Sequence, residues 1–140
     1  MISGFSHVYL PVPDVEAAIA FYTGNLGFRL QRRWQAADGA AAAYLELGGV
    51  LLELLPSTEA IQGERRFGLV VDDLAATLDE LRSHGVAVAG EPFTPRSFWG
   101  RQATIRDPFG YIVALREWRA PDGPRFDGWH PTAQDAGYRP

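Results

Sequence analysis

The chain contains one pattern of residues twice, and this internal repeat constrains its fold more than any other feature of the sequence. Residues 6–15 (SHVYLPVPDV) and residues 65–74 (RRFGLVVDDL) both consist of an alternating segment that leads into an aspartate. The two copies also end alike, with GVLLEL at 49–54 and GYIVAL at 110–115. A repeat of this length predicts two copies of one supersecondary module.

Strand and helix periodicity predicts the same order of elements in both copies. In the first copy the pattern predicts a strand, a helix that begins at Val15 and ends at Gly27, and three strands, at residues 4–12, 28–34, 42–47 and 50–55. In the second copy a helix lies between Asp73 and Gly85, with strands at 67–71, 86–89, 102–106 and 111–118. The predicted fold class is α+β, with two βαβββ modules forming a curved mixed sheet around a cavity and helices on the outer face.

These elements divide the chain into a paired domain and an extension. The domain is expected over residues 1–118, with one module at about 4–56 and the other at about 64–118. Residues 119–140 are rich in proline and glycine but also carry three of the aromatic side chains. A disordered tail rarely carries so many, so this segment is expected to lie against its own domain or a partner subunit.

Composition excludes several classes of function. A hydrophobic fraction of 46% argues against a disordered protein, and a net charge of −4 argues against a nucleic-acid binder. The absence of cysteine excludes disulfides and thiolate catalysis. Neither a signal peptide nor an apolar stretch of membrane-spanning length is visible in the sequence. We therefore expect a cytoplasmic protein with no membrane or nucleic-acid partner.

Strand alternation separates an apolar face from a mixed one. The apolar face includes Val8, Val50, Leu52 and Leu54 and is expected to form the core beneath the helices. The opposite face combines polar and apolar side chains: His7, Tyr9, Leu51, Glu53, Arg66, Gly68, Ile112, Ala114 and Arg116. Such a face is typical of a ligand cavity rather than of a dry core.

Three sequence motifs resemble those of the vicinal oxygen chelate superfamily, which includes glyoxalases, extradiol dioxygenases and bleomycin-resistance proteins. They are HVYLPVPD at 7–14, the FY…LGF pattern at 21–28, and WGR…RDPFG at 99–110, the last being most similar to the bleomycin-resistance branch. The resemblance implies paired βαβββ modules. It also implies a homodimer with ligand crevices at the subunit interface.

In enzymes of this superfamily, four strand positions supply metal ligands. The corresponding residues here are His7, Glu53, Arg66 and Ala114. Only the first two can bind a metal, whereas a catalytic site usually needs three protein ligands, and the Arg66 guanidinium would repel a cation. We therefore predict a metal-free site without a cofactor. A third ligand could still come from Glu46, His130 or a partner subunit.

The inner-face charges allow three interpretations. Glu53 and Arg66 could form a charge pair that replaces the metal, with His7 hydrogen-bonded nearby. Alternatively, His7 and Glu53 could act in acid–base catalysis, or they could remain as a two-ligand metal site. Ala114 lacks a charged group and would enlarge the cavity.

Aromatic residues at strand ends and in the loop before the seventh strand could either pack in the core or stack on a planar ligand. With the inner-face residues they complete the predicted ligand-binding set: His7, Trp34, Tyr44, Glu53, Arg66, Phe98, Trp99, Arg101, Ala114 and Trp118. The sequence therefore predicts a metal-free protein of the antibiotic-resistance type that sequesters an aromatic, drug-like molecule. The alternatives are a lyase or dioxygenase that uses His7 and Glu53, and a vestigial pocket in a domain that serves only in assembly.

Overall fold

A computed structural model describes residues 1–4, 6–59, 65–94 and 100–118. The chain divides into two compact units, Met1–Gln62 and Gly63–Pro140. The first unit contains β1 (His7–Val12), α1 (Val15–Asn25), β2 (Arg29–Gln35), β3 (Ala41–Leu47) and β4 (Val50–Pro56). The second contains β5 (Arg66–Val70), α2 (Leu74–Ser83), β6 (Val88–Phe93), β7 (Gly100–Arg106) and β8 (Ile112–Trp118). The α+β class and the repeated βαβββ order are confirmed.

The first unit is a mixed four-stranded sheet with one helix on one face. Its strand order is β1-β4-β3-β2, in which β1 and β4 are parallel and the other pairs are antiparallel. Helix α1 begins where the Asp14 side chain accepts a hydrogen bond from the Ala17 backbone N–H at 2.9 Å. The helix packs against β2, β3 and β4, and the core beneath it contains the buried side chains of Leu10, Val12, Ile19, Tyr22, Leu45, Leu52 and Leu54.

The second unit repeats this arrangement, with strand order β5-β8-β7-β6 and a parallel β5–β8 pair. The Asp73 side chain caps α2 by accepting from the Ala76 N–H at 2.9 Å. Leu74, Leu78 and Leu81, which share one face of this helix, are all buried. The buried Glu117 carboxylate accepts a hydrogen bond from the Leu74 N–H at 2.9 Å, which ties β8 to the start of α2.

Two details differ from the pattern of the sequence. Strand β6 begins at Val88 rather than at residue 86, because the N–H groups of residues 84–86 bond to the last carbonyls of α2 and close that helix. Val8 and Val50 were placed with the core, yet they are 41% and 46% exposed. Strand β1 is a sheet edge, and α1 packs over the neighbouring strands, so the helix leaves the start of the β1–β4 ladder uncovered.

Within the described parts of the chain, no helix combines the length and the apolar character that crossing a membrane requires.

Candidate functional site

The register of the first sheet brings four polar and aromatic residues into one row across all four strands. Glu53 on β4 lies beside Tyr9 on β1 and beside Tyr44 on β3, and Tyr44 lies beside Arg32 on β2. Because side chains alternate along a strand, this row is on the face opposite Leu52 and Leu54, which are buried. The row is therefore on the face of the sheet away from α1.

Two neighbours hold the Glu53 carboxylate. His7 Nε2 lies 3.0 Å from Glu53 Oε2, and the Tyr44 hydroxyl donates a hydrogen bond to Glu53 Oε1 at 3.2 Å. The Glu53 side chain is 15% exposed, whereas that of His7 is 40% exposed. A half-buried carboxylate needs such partners to offset its lost hydration, and here both oxygens have one.

The orientation of His7 follows from its two ring contacts. A carboxylate accepts hydrogen bonds, so Nε2 is the donor in the contact with Glu53. The Ser6 hydroxyl oxygen lies 2.7 Å from Nδ1, within hydrogen-bond distance. The His7 ring also meets the Tyr44 ring edge to face, with centroids 6.1 Å apart and planes at 65°.

Trp34 and Tyr44 form a stacked aromatic pair next to this carboxylate. Their ring centroids are 4.4 Å apart and their planes are inclined by 30°. Both side chains are half-buried, although one comes from β2 and the other from β3. Offset stacking of this kind holds the rings in a defined orientation. The result is a flat apolar surface beside an anionic group.

The Tyr44 hydroxyl is kept protonated by its surroundings. Partial burial raises the pKa of Tyr44 above the ordinary value of 10, the Glu53 charge and the hydrogen bond to Glu53 raise it further, and the Arg32 charge opposes the shift. A tyrosine with a raised pKa is neutral at physiological pH. Tyr44 therefore acts as a permanent hydrogen-bond donor to Glu53.

The structure thus brings together four of the residues predicted from the sequence: His7, Trp34, Tyr44 and Glu53. We name these four, with Ser6, the Glu53 cluster. Ser6 and Arg32 were not predicted as site residues. The register of β2 shifts between Leu30 and Arg32, and simple alternation cannot reveal such a bulge. Nothing in the sequence singles out Ser6 except its place before His7.

The other predicted residues belong to the second unit or lie outside the described residues. Arg66 pairs in register with Ile112 on β8, and Ala114 lies between Gly68 and Thr104. Small side chains therefore occupy the row that corresponds to Tyr9, Glu53 and Tyr44 in the first unit.

Arg101 pairs in register with Glu117. Because side chains alternate along a strand, both residues lie on the face opposite Ala114. Trp118 is the last residue of β8. Phe98 and Trp99 lie outside the described residues.

The donor set does not fit a catalytic divalent metal ion. Among residues 1–4, 6–59, 65–94 and 100–118, no group of three or more His, Cys, Asp or Glu side chains could hold a metal. Glu46, considered as a third ligand, instead accepts hydrogen bonds from Arg29 Nε at 3.1 Å and from the Gly49 N–H at 2.8 Å. His7 and Glu53 provide two ligands where three are usual.

Comparison with known proteins gives a consistent picture. The sequence profile described as the Glyoxalase/Bleomycin resistance protein/Dioxygenase superfamily matches residues 4–115. A probable lactoylglutathione lyase of Vibrio cholerae is 29% identical over 119 residues, which are 78% of this chain and 86% of the relative. A chloroplastic probable lactoylglutathione lyase of Arabidopsis thaliana is 31% identical over 121 residues, which are 79% of this chain but only 35% of that protein.

Among solved structures, the chain is similar to TnmS3, an antibiotic binding protein from Streptomyces sp. CB03234. The TM-score is 0.71 and the identity is 31%, and the match covers 84% of this chain and 98% of the other. These relatives include proteins named as enzymes and a protein named for binding, so the choice between the two functions depends on the chemistry of the Glu53 cluster.

Proposed function

The chain belongs to the Glyoxalase/Bleomycin resistance protein/Dioxygenase superfamily, and from this premise we propose that it is a metal-free binding protein for an aromatic, drug-like small molecule. The Glu53 cluster is the proposed ligand site. The stacked Trp34–Tyr44 pair would contact the planar part of the ligand, while Glu53 and His7 would meet its polar groups. The similarity to an antibiotic binding protein supports a role in antibiotic resistance.

The observation that carries this proposal is the stack of Trp34 on Tyr44, with centroids 4.4 Å apart. Two rings held against each other from neighbouring strands lose little entropy when a third planar group binds, because their orientation is already defined. Ligand sites typically combine such an apolar wall with a few polar groups that set orientation. The carboxylate held by His7 and Tyr44 supplies the polar part.

We also propose that Arg66, Ala114 and Trp118 of the second unit take part in ligand binding. Arg101, which the sequence analysis included, lies on the opposite face of its sheet from Ala114, and Phe98 and Trp99 lie outside the described residues. We also propose that the protein is a homodimer and acts in the cytoplasm.

Calorimetric titration with planar antibiotics tests the binding role directly. We expect the Trp34→Ala variant to bind about two- to twelvefold more weakly, since an aromatic stack contributes about 0.5–1.5 kcal/mol beyond burial. Phe21→Ala is the matched control, because Phe21 is also a half-buried aromatic but belongs to α1, on the other side of the first sheet. Equal losses in both variants, or no binding by the unmodified protein, would contradict the proposal.

A second candidate is an enzyme that uses His7 and Glu53. The relatives named probable lactoylglutathione lyases and the 3.0 Å His7–Glu53 contact favour it. In this case the pair would move a proton between its carboxylate and imidazole and a bound substrate. An assay for lactoylglutathione formation, with and without added divalent ions, separates the two functions. Turnover that is lost in Glu53→Gln would favour the enzyme.

A further inference from the structure

We propose that the group of the ligand that meets Glu53 is an organic cation, so that the preferred ligand combines a planar aromatic system with a positively charged nitrogen. The proposal rests on the binding function given above and names the ligand class for the same site. Three features of the first unit carry it: the rings around Glu53, the free acceptor capacity of its carboxylate, and the mismatch with metal coordination.

Aromatic rings surround the Glu53 carboxylate on both sides. In the register of the sheet, Tyr9 is its neighbour on β1 and Tyr44 its neighbour on β3. Trp34 stacks on Tyr44, and the His7 ring meets Tyr44 edge to face. The faces of tyrosine and tryptophan rings carry negative electrostatic potential, and proteins recognise organic ammonium groups with such rings. The row thus places the Glu53 carboxylate beside tyrosine and tryptophan rings, a combination that suits an organic cation.

The carboxylate has acceptor capacity left after its internal contacts. Each carboxylate oxygen can accept about two hydrogen bonds. Among the described contacts, Glu53 Oε1 has Tyr44 as its partner and Oε2 has His7. Tyr44 is a neutral donor, so its bond orients Glu53 without cancelling the charge. With 15% of its side chain exposed, Glu53 can be reached by a ligand, and Tyr9 beside it is 49% exposed.

Among the described contacts, the arginine side chains of β2 form no ion pair with the Glu53 carboxylate. Arg32 lies on the far side of Tyr44 in the row, while Glu46 is paired with Arg29. Arg32 therefore reduces the preference for a cation through its charge rather than through an ion pair with Glu53. This position makes Arg32 a useful site for variation, because its removal should act in the opposite direction to the removal of Glu53.

The donor groups of the Glu53 cluster suit an organic cation but not a divalent metal ion. A divalent ion needs three or more ligands at fixed geometry, and the Glu53 cluster offers two. An ammonium or protonated ring nitrogen requires only one carboxylate and the faces of aromatic rings. The same residues that are insufficient for coordination are therefore sufficient for this class of ligand.

Three planar tricyclic probes of similar size test the proposal: 9-aminoacridine, which is cationic at neutral pH, acridine, which is neutral, and 9-anthracenecarboxylate, which is anionic. By calorimetry at low ionic strength we expect 9-aminoacridine to bind about three- to tenfold more tightly than the other two. Glu53→Gln should remove this preference. Arg32→Gln should increase it by about two- to threefold, and added salt should weaken only the binding of the cation.

Asp79→Asn is the matched control for Glu53→Gln, because it makes the same change in net charge at an 80% exposed side chain of α2. It should leave the preference unchanged. A second variant, Tyr9→Leu, alters no charge and should reduce the preference for the cation while circular dichroism confirms folding. This variant keeps the test valid even if Glu53→Gln folds poorly.

The outcomes distinguish a failure of the cation preference from a failure of the binding function on which it rests. Equal binding of all three probes, sensitive to Trp34→Ala, would overturn the cation preference but support the binding function. The same loss of preference in Asp79→Asn as in Glu53→Gln would also overturn it, because net charge alone would then explain the effect. If no probe binds, both the preference and the binding function fail.

Discussion

His7 and Glu53 meet Nε2 to Oε2 at 3.0 Å across the parallel strands β1 and β4 of a single unit. Their neighbours in that contact, Ser6 and Tyr44, also belong to the first unit. The contacts of Glu53 with His7 and Tyr44 therefore lie within the first unit. The pairing of Glu53 with Arg66 that the sequence suggested stays a prediction.

Metal content is the first prediction. After incubation with nickel, zinc, iron and manganese and removal of the excess, the purified protein should retain well under one metal ion per chain, because two protein ligands are too few for a stable site. Elemental analysis measures this. About one ion per chain in the unmodified protein, absent in Glu53→Ala, would show instead that a third ligand is recruited.

The second prediction concerns the ionisation of Tyr44. Its pKa is raised in the folded protein, chiefly by burial and then by Glu53. The resulting stabilisation is present in full below the pKa of an unfolded tyrosine and is lost as pH rises through the folded pKa. As the pH rises from the unfolded to the folded pKa of Tyr44, the free energy of unfolding should therefore fall less in the Tyr44→Phe variant than in the unmodified protein.

Arg32→Ala should raise the pKa of Tyr44 further, since Arg32 lowers it. Arg33→Ala is the control, because Arg33 pairs with Glu16 at 2.9 Å. Tyrosinate absorbance, compared with the Tyr44→Phe variant to isolate this residue, measures the titration. An equal shift in both arginine variants would refute the local origin of the effect.

Glu46 provides a prediction for acidic pH. The hydrogen bond from Arg29, followed by that from the Gly49 N–H, lowers the pKa of Glu46 from the ordinary value of 4.5. A carboxyl group with a lowered pKa contributes stability above its unfolded pKa, and this contribution is lost as pH falls through the folded pKa. Glu46→Gln should flatten the acid limb of the stability profile measured by urea unfolding. Glu59→Gln, at a residue outside the strands, should leave that limb unchanged.

The fourth prediction tests the core that supports the cluster. Leu54 is 0% exposed and follows Glu53 on β4. Leu54→Ala should lower the free energy of unfolding by about 2–5 kcal/mol, because it removes buried methyl groups and leaves a cavity. Leu30→Ala, at a 36% exposed position, should cost clearly less. Urea denaturation measures both, and similar losses would contradict the difference in burial between these two positions of the α1 side of the sheet.

Local signals in the sequence predicted most of the fold. The aspartates at positions 14 and 73 both cap helices, as expected, because the capping interaction depends on residues within one turn. The start of β6 was placed two residues too early, since the residues after α2 hydrogen-bond back to the helix. Apolar periodicity predicts which face of a strand is apolar, but it does not predict which strand lies at the edge of the sheet. Val8 is exposed because its strand, β1, is such an edge.

The sequence by itself determined the repeated βαβββ order, the α+β class and the candidate residues His7 and Glu53, because each depends on local periodicity or on alignment of the two copies. Only the tertiary structure decided that Trp34 stacks on Tyr44 and that Tyr44 donates to Glu53. Those contacts depend on the register between strands and on the bulge between Leu30 and Arg32. Register is a property of paired strands, and one strand's residue pattern does not encode it.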